Sequence, residues 1–149
     1  MMNYKEMQEM MKARREENKK EKALEEKRKL FEKNIEEHFD EVFCVQSFNI
    51  DGERVEDASA HFTPSLIKSF LKYYLEMDKD DNFSLAAFDE NNEELEIMPS
   101  NWWEGKLMFV SRHGFRIVIE TQKYRVTIIP ALKSGWAPAS LIDIEWYNI

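Results

Sequence analysis

The sequence is poor in cysteine and glycine, with one cysteine, Cys44, and four glycines among 149 residues. A single cysteine excludes an intrachain disulfide and a zinc site built from several thiolates. No glycine-rich phosphate loop, serine nucleophile elbow or HExxH metalloprotease motif is present. Cys44 stands among apolar residues in an apparent strand, so we interpret it as a buried, inert thiol rather than a nucleophile.

Long hydrophobic runs are also missing. No stretch reaches the roughly 18 apolar residues that a membrane-spanning helix needs, and the first residues lack the apolar segment of a signal peptide. We therefore expect no membrane partner and a reducing, cytoplasmic location.

Positive charge is scarce beyond the first 39 residues. Residues 40–149 hold 10 Lys and Arg against 19 Asp and Glu, a net charge of −9, whereas residues 1–39 hold 11 against 10. The acidic body is repelled by phosphate groups, and this repulsion disfavours direct binding of nucleic acid.

Residues 1–39 contain neither glycine nor proline and are dominated by good helix formers. Opposite charges recur four residues apart, and each such pair adds about 0.2–0.5 kcal/mol to a helix. Apolar residues cluster at the two ends, as Tyr4, Met7, Met10 and Met11 and as Leu24, Leu30, Phe31, Ile35 and Phe39. No sustained heptad joins the two clusters, so a long two-stranded coiled coil is not supported. We predict an extended charged helix over 1–39 whose C-terminal half docks on the body, with a tip that is either solvated or bound to a partner.

Residues 40–149 show the patterns of an acidic α+β domain. Thr63 and Pro64 mark the start of an amphipathic helix over 64–77. The apolar face of this helix is predicted to comprise Leu66, Ile67, Phe70, Leu71, Tyr74 and Leu75. Segments rich in β-branched and aromatic residues occupy 42–50, 54–57, 83–88, 94–98, 106–111, 115–121, 123–129 and 140–148.

Turn signals separate these segments, including the Asp51-Gly52 pair that favours a tight hairpin. Near the C-terminus Ile142, Ile144 and Trp146 alternate with acidic residues, a pattern typical of an antiparallel sheet with one solvated face. We predict an α+β fold, in which the long N-terminal helix precedes a mainly antiparallel sheet of about five to seven strands covered by the 64–77 helix.

Residues 78–89 place oxygen-bearing side chains at the spacing of an EF-hand calcium loop, with Asp78, Asp80, Asn82 and Asp89 at ligand positions. The sixth position, which is glycine in such loops, is Phe83, and the last ligand is one methylene shorter than the usual glutamate. We interpret the segment as a solvated turn from helix to strand, and we expect no metal and no cofactor.

Two histidines raise a catalytic alternative. The triplet from His61 to Thr63 matches one half of the paired His-x-Thr signature of two-histidine phosphoesterases, but His113 is followed by Gly114 and Phe115, so the second half is missing. A small hydrolase that uses His61 and His113 stays an alternative, and it requires a cleft that unites these residues with carboxylates.

Three tryptophans lie in loop-like segments. Trp102 and Trp103 are adjacent in PSNWWEG, and Trp136 lies in KSGWAP. Consecutive side chains of an extended segment point to opposite sides, which disfavours burial of both rings in one core. The rings either cap the ends of the sheet or form an exposed patch that anchors a partner.

These patterns favour a small, non-catalytic protein that acts by docking on another protein. The residues expected to bind the partner are Tyr4, Met7, Met11, Trp102, Trp103 and Trp136. One specific form is an inhibitor, such as a phage or bacterial antagonist, whose acidic face occupies the basic surface of a nucleic-acid enzyme. An oligomeric scaffold assembled through the N-terminal helix is a further alternative.

Overall fold

The computed structural model describes residues 3–49, 55–111, 114–130 and 138–147. Its helices are α1 (Tyr4–His38) and α2 (Pro64–Tyr74), with a short 3₁₀ helix, Phe39–Glu41, directly after α1. Its strands are β1 (Phe43–Asn49), β2 (Val55–Phe62), β3 (Ser84–Phe88), β4 (Met98–Pro99), β5 (Leu107–Ser111), β6 (Arg116–Glu120), β7 (Tyr124–Ile129) and β8 (Ser140–Trp146). The predicted α+β class with a long N-terminal helix is confirmed.

The strands form two antiparallel sheets rather than one. Among the described residues there are eight strands, where the sequence predicted about five to seven, and they pair in the orders β1-β2-β5-β4 and β3-β6-β7-β8. The short β4 segment and β5 form a hairpin, and β5 then pairs with β2. Segment 94–98 was predicted as a strand but contributes only an isolated bridge at Glu94 and, at its last residue, the start of the two-residue strand β4.

Both sheets contribute side chains to a single hydrophobic core. Phe109 of β5 contacts Phe115, which precedes β6, with ring centroids 4.9 Å apart. On β6, Ile117 and Ile119 are buried while Arg116 is only partly buried, so alternate side chains of this strand face the core.

Helix α1 divides into an exposed half and a packed half. It begins at Asn3, whose side-chain oxygen accepts a hydrogen bond from the Glu6 backbone N–H at 2.8 Å. Every residue from 3 to 23 is exposed, whereas Phe31 and Ile35 are fully buried. Leu30 was expected in the docked cluster but is 48% exposed, because it precedes Phe31 by one residue and points about 100° away around the helix. Within the described part of the chain, no helix has the length and apolar content required to cross a membrane.

Helix α2 starts where the sequence indicates, with Thr63 at the N-cap position and Pro64 as the first helical residue, although the Thr63 side chain makes no capping hydrogen bond. The helix ends at Tyr74, before the predicted residue 77. The chain reverses at Glu76, whose φ of +53° lets the Met77 N–H donate to the Leu71 carbonyl at 3.0 Å. A residue with positive φ cannot continue the helix, and this conformation terminates α2.

The face of β8 differs from the predicted alternation. Leu141 is buried and Ile142 is 50% exposed. The pairing with β7 shifts at this point, because Thr127 pairs with Asp143 whereas Ile128 pairs with Leu141. The extra residue is a β-bulge, which turns Ile142 outward and restores the inward direction at Ile144.

Candidate functional site

The exposed tip of α1 carries apolar side chains that pack on nothing in the described chain. Tyr4 is 76% exposed, Met7 48% and Met11 50%, and their spacing places the three on one face of the helix. Lys12 and Arg15 border the same face. The three residues predicted from the sequence as partner-binding therefore share one apolar stripe, which we call the helix tip.

Helix α2 presents a second apolar surface that was not predicted. Its inner face, with Ile67 and Leu71, is buried in the core, but Leu66 is 46% exposed and Tyr73 81% exposed. Leu66 was assigned to the buried stripe, and this was wrong, because it lies seven residues before Tyr73 and shares the outward direction of that side chain. The outer surface is a shallow groove, which we call the α2 groove, lined by Glu41, Val42, Leu66, Phe70, Tyr73 and Tyr74.

The two consecutive tryptophans lie in the loop between β4 and β5. This loop is closed by the Ser100 N–H, which donates to the Lys106 carbonyl at 2.8 Å, and it turns at Gly105 with a φ of +81°. Both rings contact His61, with Trp102 stacked on the imidazole and Trp103 edge-on, each at a centroid distance of 5.3 Å. The two rings do not point to opposite sides, because the segment is a turn rather than a strand, but the prediction that they are not both buried in one core holds, since both are exposed.

Ser100 organises this cluster through hydrogen bonds. Its hydroxyl oxygen accepts the backbone N–H groups of Trp102 and Trp103 at 3.2 and 3.1 Å, and it lies 2.9 Å from His61 Nδ1. Both lone pairs of the oxygen are then engaged, so the hydroxyl proton is donated to Nδ1. The other ring nitrogen, Nε2, carries the imidazole proton and donates it to Ser59 Oγ at 3.1 Å.

The position of the proton on the His61 ring is relevant to the alternative that the protein is a small hydrolase. A general base must accept a proton from the nucleophile, and in this tautomer the unprotonated nitrogen is Nδ1, whose partner is the Ser100 hydroxyl. The Ser100 oxygen is already bound by the two backbone N–H groups of the tryptophan loop, and the Ser59 hydroxyl on the other side of the ring is buried. Burial, and secondarily the positive charge of Lys106, lower the pKa of His61 from its ordinary value of 6.5, so the ring is neutral at pH 7. The geometry therefore favours a structural pairing, with His61 supporting the tryptophan loop from below.

The polar side chains of segment 78–89 are used within the fold. Asp78 pairs with Lys123 at 2.8 Å, and Asp81 is buried and accepts the backbone N–H groups of Asn82 and Gln122 at 2.7 and 2.9 Å. Asp89 accepts two backbone N–H groups of its own turn. Among the described residues, no group of three or more histidine, cysteine or acidic side chains converges to hold a metal ion. The segment comprises the last part of the connection from α2 and the strand β3, and Asp81 anchors the connection to the β6–β7 turn.

The other sequence predictions concern the single cysteine and features that lie outside the described residues. Cys44 was expected to be buried but is half-buried, because β1 is an edge strand, and its Sγ lies 3.8 Å from Gln46 Nε2. Trp136, His113 and the Asp51-Gly52 turn lie outside the described residues. A signal for the missed α2 groove was present in the sequence, since Leu66 and Tyr73 are one heptad apart on a helix whose other face already fills the core.

Comparisons of the chain with protein-family models, with curated proteins and with solved structures gave no significant match.

Proposed function

We propose that this protein is a non-catalytic protein-binding protein that docks on its partner through the helix tip. The observation that carries the proposal is the exposed first half of α1, in which every residue from 3 to 23 faces solvent. Most of the stability of helices in proteins comes from packing an apolar face against other elements. Tyr4, Met7 and Met11 form such a face without packing on the described chain.

The chemistry of the tip suits a protein partner. Methionine side chains are flexible and polarisable, and they adapt to irregular apolar surfaces. A short helix with anchors at positions i, i+3 and i+7 is the element that enters a hydrophobic groove in helix-in-groove recognition. The basic side chains of Lys12 and Arg15 beside the stripe favour a groove with an acidic rim.

The tryptophan loop is the second surface in this proposal. Trp102 is 51% exposed and Trp103 36% exposed, and the Lys106 ammonium lies 4.4 Å from the centroid of the Trp103 ring. Partly exposed tryptophans on a well-supported loop are typical anchors of binding surfaces. The net charge of −9 over residues 40–149 favours a basic partner surface, such as that of a nucleic-acid enzyme. A cytoplasmic location belongs to the same proposal, since the single cysteine is a free thiol.

The tip is tested by comparing association of the full chain with that of Met7→Glu/Met11→Glu. The control, Ala13→Glu/Lys20→Gln, makes the same change in net charge on the opposite face of α1. The affinity of the tip variant for any protein partner, including a second copy of the chain, should be at least about 100-fold lower than that of the wild type, because burial of the two apolar side chains contributes about 3 kcal/mol or more to binding. Equal binding by the tip variant and the wild type, measured by size-exclusion chromatography and quantitative pull-down, refutes the proposal.

The acidic surface is tested separately through ionic strength. If a basic partner is held by charge, its affinity should fall between low and high salt, because exposed charges are screened over about 10 Å at 0.1 M. An affinity that does not change with salt removes the acidic inhibitor from consideration but leaves the helix tip as the binding element.

A further inference from the structure

We propose that the helix tip of one chain docks in the α2 groove of a second copy of the same chain, and that two chains do so reciprocally to form a dimer. This inference rests on the proposed function of the tip and names its partner. It accounts for two exposed apolar surfaces, on α1 and α2, with one kind of contact.

The two surfaces match in length and pattern. From Tyr4 to Met11 and from Leu66 to Tyr73 the separation is seven residues, which corresponds to about 10.5 Å along each helix. The tip offers flexible methionines and one aromatic ring, and the groove offers a leucine and a tyrosine above the buried Phe70. Helices that expose stripes of equal length and equal spacing are suited to pack side by side.

The charges beside the two surfaces are complementary and select the direction of packing. Glu41 lines the groove near Tyr74, at the C-terminal end of α2, where its carboxylate lies 2.9 Å from His38 Nδ1, and Asp40 beside it is exposed. Lys72, in the last turn of α2, is exposed but does not line the groove, so the side chains at this end of the groove remain acidic. If the tip runs parallel to α2, Lys12 and Arg15 follow the stripe and reach this acidic end. The opposite direction places them at the N-terminal end of α2, where the helix dipole is positive.

A chain cannot fill its own groove. Helix α1 is continuous from Tyr4 to His38, and its packed half is fixed by Phe31 and Ile35 in the core. Met7 lies 17 residues before Leu24, the first partly buried residue, and therefore about 25 Å beyond it along a straight helix. The tip can reach a groove only on another molecule.

Reciprocal docking follows from the size of the contact. A two-turn helix in a shallow groove buries less than the roughly 1,200 Å² expected of a stable, specific interface. Two identical contacts, one from each chain, add their areas, and a closed two-fold dimer is the commonest arrangement of identical subunits.

The test is the mass of the purified full chain by sedimentation equilibrium over a range of concentrations. The wild type should approach twice the monomer mass of 17.9 kDa. The tip variant Met7→Glu/Met11→Glu and the groove variant Leu66→Lys/Tyr73→Lys should both remain monomeric, with unchanged circular dichroism because all four side chains are exposed. The controls Ala13→Glu/Lys20→Gln and Ser65→Lys should dimerise like the wild type.

Mixing and charge reversal test the specific pairing. An equimolar mixture of the tip and groove variants keeps one of the two contacts, so it should form a heterodimer that is weaker than the wild-type dimer and that neither variant forms alone. Arg15→Glu should weaken the dimer about five- to tenfold, and Glu41→Arg in the same chain should restore it. A wild type that grows into longer assemblies overturns the reciprocal arrangement.

A monomeric wild type at all concentrations overturns the inference. The proposed function then still stands if a different protein binds to the groove variant but not to the tip variant. It fails together with the inference if the tip variant keeps every association of the wild type.

Discussion

The substitution Phe31→Ala tests whether the second half of α1 belongs to the folded core. Phe31 is fully buried, and its ring centroid lies 5.5 Å from that of Tyr124 and 5.3 Å from that of Trp146. Truncating a buried phenylalanine costs about 3–5 kcal/mol, since the lost transfer free energy is increased by the cavity left behind. A domain of this kind has about 5–15 kcal/mol of stability in total, so the loss is a large fraction of it.

The neighbouring residue provides a matched control. Leu30 is 48% exposed, and Leu30→Ala removes an apolar side chain from the same turn of the same helix. Its cost is expected to stay within about 0.5 kcal/mol. Alanine also raises helix propensity slightly at both positions, which makes the contrast between them a measure of packing rather than of helix formation.

The assay is urea unfolding, followed by tryptophan fluorescence and by circular dichroism at 222 nm. With a slope of about 2 kcal/mol per molar urea, Phe31→Ala should lower the midpoint by about 1.5–2.5 M, whereas Leu30→Ala should leave it nearly unchanged. A difference below about 1 kcal/mol between the two variants refutes the packing described for α1.

Three further predictions concern single side chains. The buried Tyr124 hydroxyl makes no well-formed hydrogen bond with the described residues, and the Thr121 side chain offers it only a weak one, so Tyr124→Phe should leave the free energy of unfolding unchanged or raise it by up to about 1 kcal/mol. A loss of more than about 1 kcal/mol in chemical denaturation contradicts this and shows that the hydroxyl has a strong partner. Glu76 adopts a positive φ after α2 and pairs with Lys27 at 3.0 Å. Both Glu76→Gly and Glu76→Ala remove this ion pair, but glycine adopts the positive φ without strain, so Glu76→Gly should be more stable than Glu76→Ala by about 0.5–1 kcal/mol in thermal unfolding, and equal stabilities of the two variants contradict the strain. The folded-state pKa of His61 lies below 6.5, so the unfolded chain takes up a proton on this residue first as the pH falls. The contribution of the neutral His61 to the free energy of unfolding is therefore full above about pH 6.5 and is lost as the pH falls through the folded-state pKa. Wild type should therefore lose more stability than His61→Gln between pH 7 and pH 5, and parallel stability profiles of the two proteins count against a buried neutral imidazole.

The helices and most strand segments could be predicted because their signals are local. The absence of glycine and proline, the spacing of opposite charges and the Thr63-Pro64 pair all act within a few residues. The class of the fold follows from the order of such segments. The division into two sheets does not, because the pairing of β3 with β6 joins segments separated by the β4–β5 hairpin, and no local pattern encodes that choice.

The errors have specific physical causes. Ile142 was placed on the wrong face because a β-bulge inserts one residue and changes the side-chain phase, which an alternation rule cannot anticipate. The two tryptophan rings were predicted to point to opposite sides because the segment was treated as extended chain. It is a turn, which the Ser100 hydroxyl closes by accepting two backbone N–H groups. The environment of His61 was also missed, because its partners Ser100 and Trp102 are about 40 residues away in sequence and come together only through the pairing of β2 with β5.

The continuity of α1 has a geometric consequence. Because α1 is one continuous helix from the exposed Tyr4 to the buried Phe31, the direction in which the helix tip faces is set by residues that make no contact with the surface on which the tip docks. Each residue inserted between the two halves swings the methionine stripe by about 100° and pushes it outward by about 1.5 Å, whereas removal of seven residues shortens the reach by about 10.5 Å and nearly preserves the azimuth. The middle of the helix, with its charges of both signs, therefore sets both the distance and the direction at which the helix tip is presented.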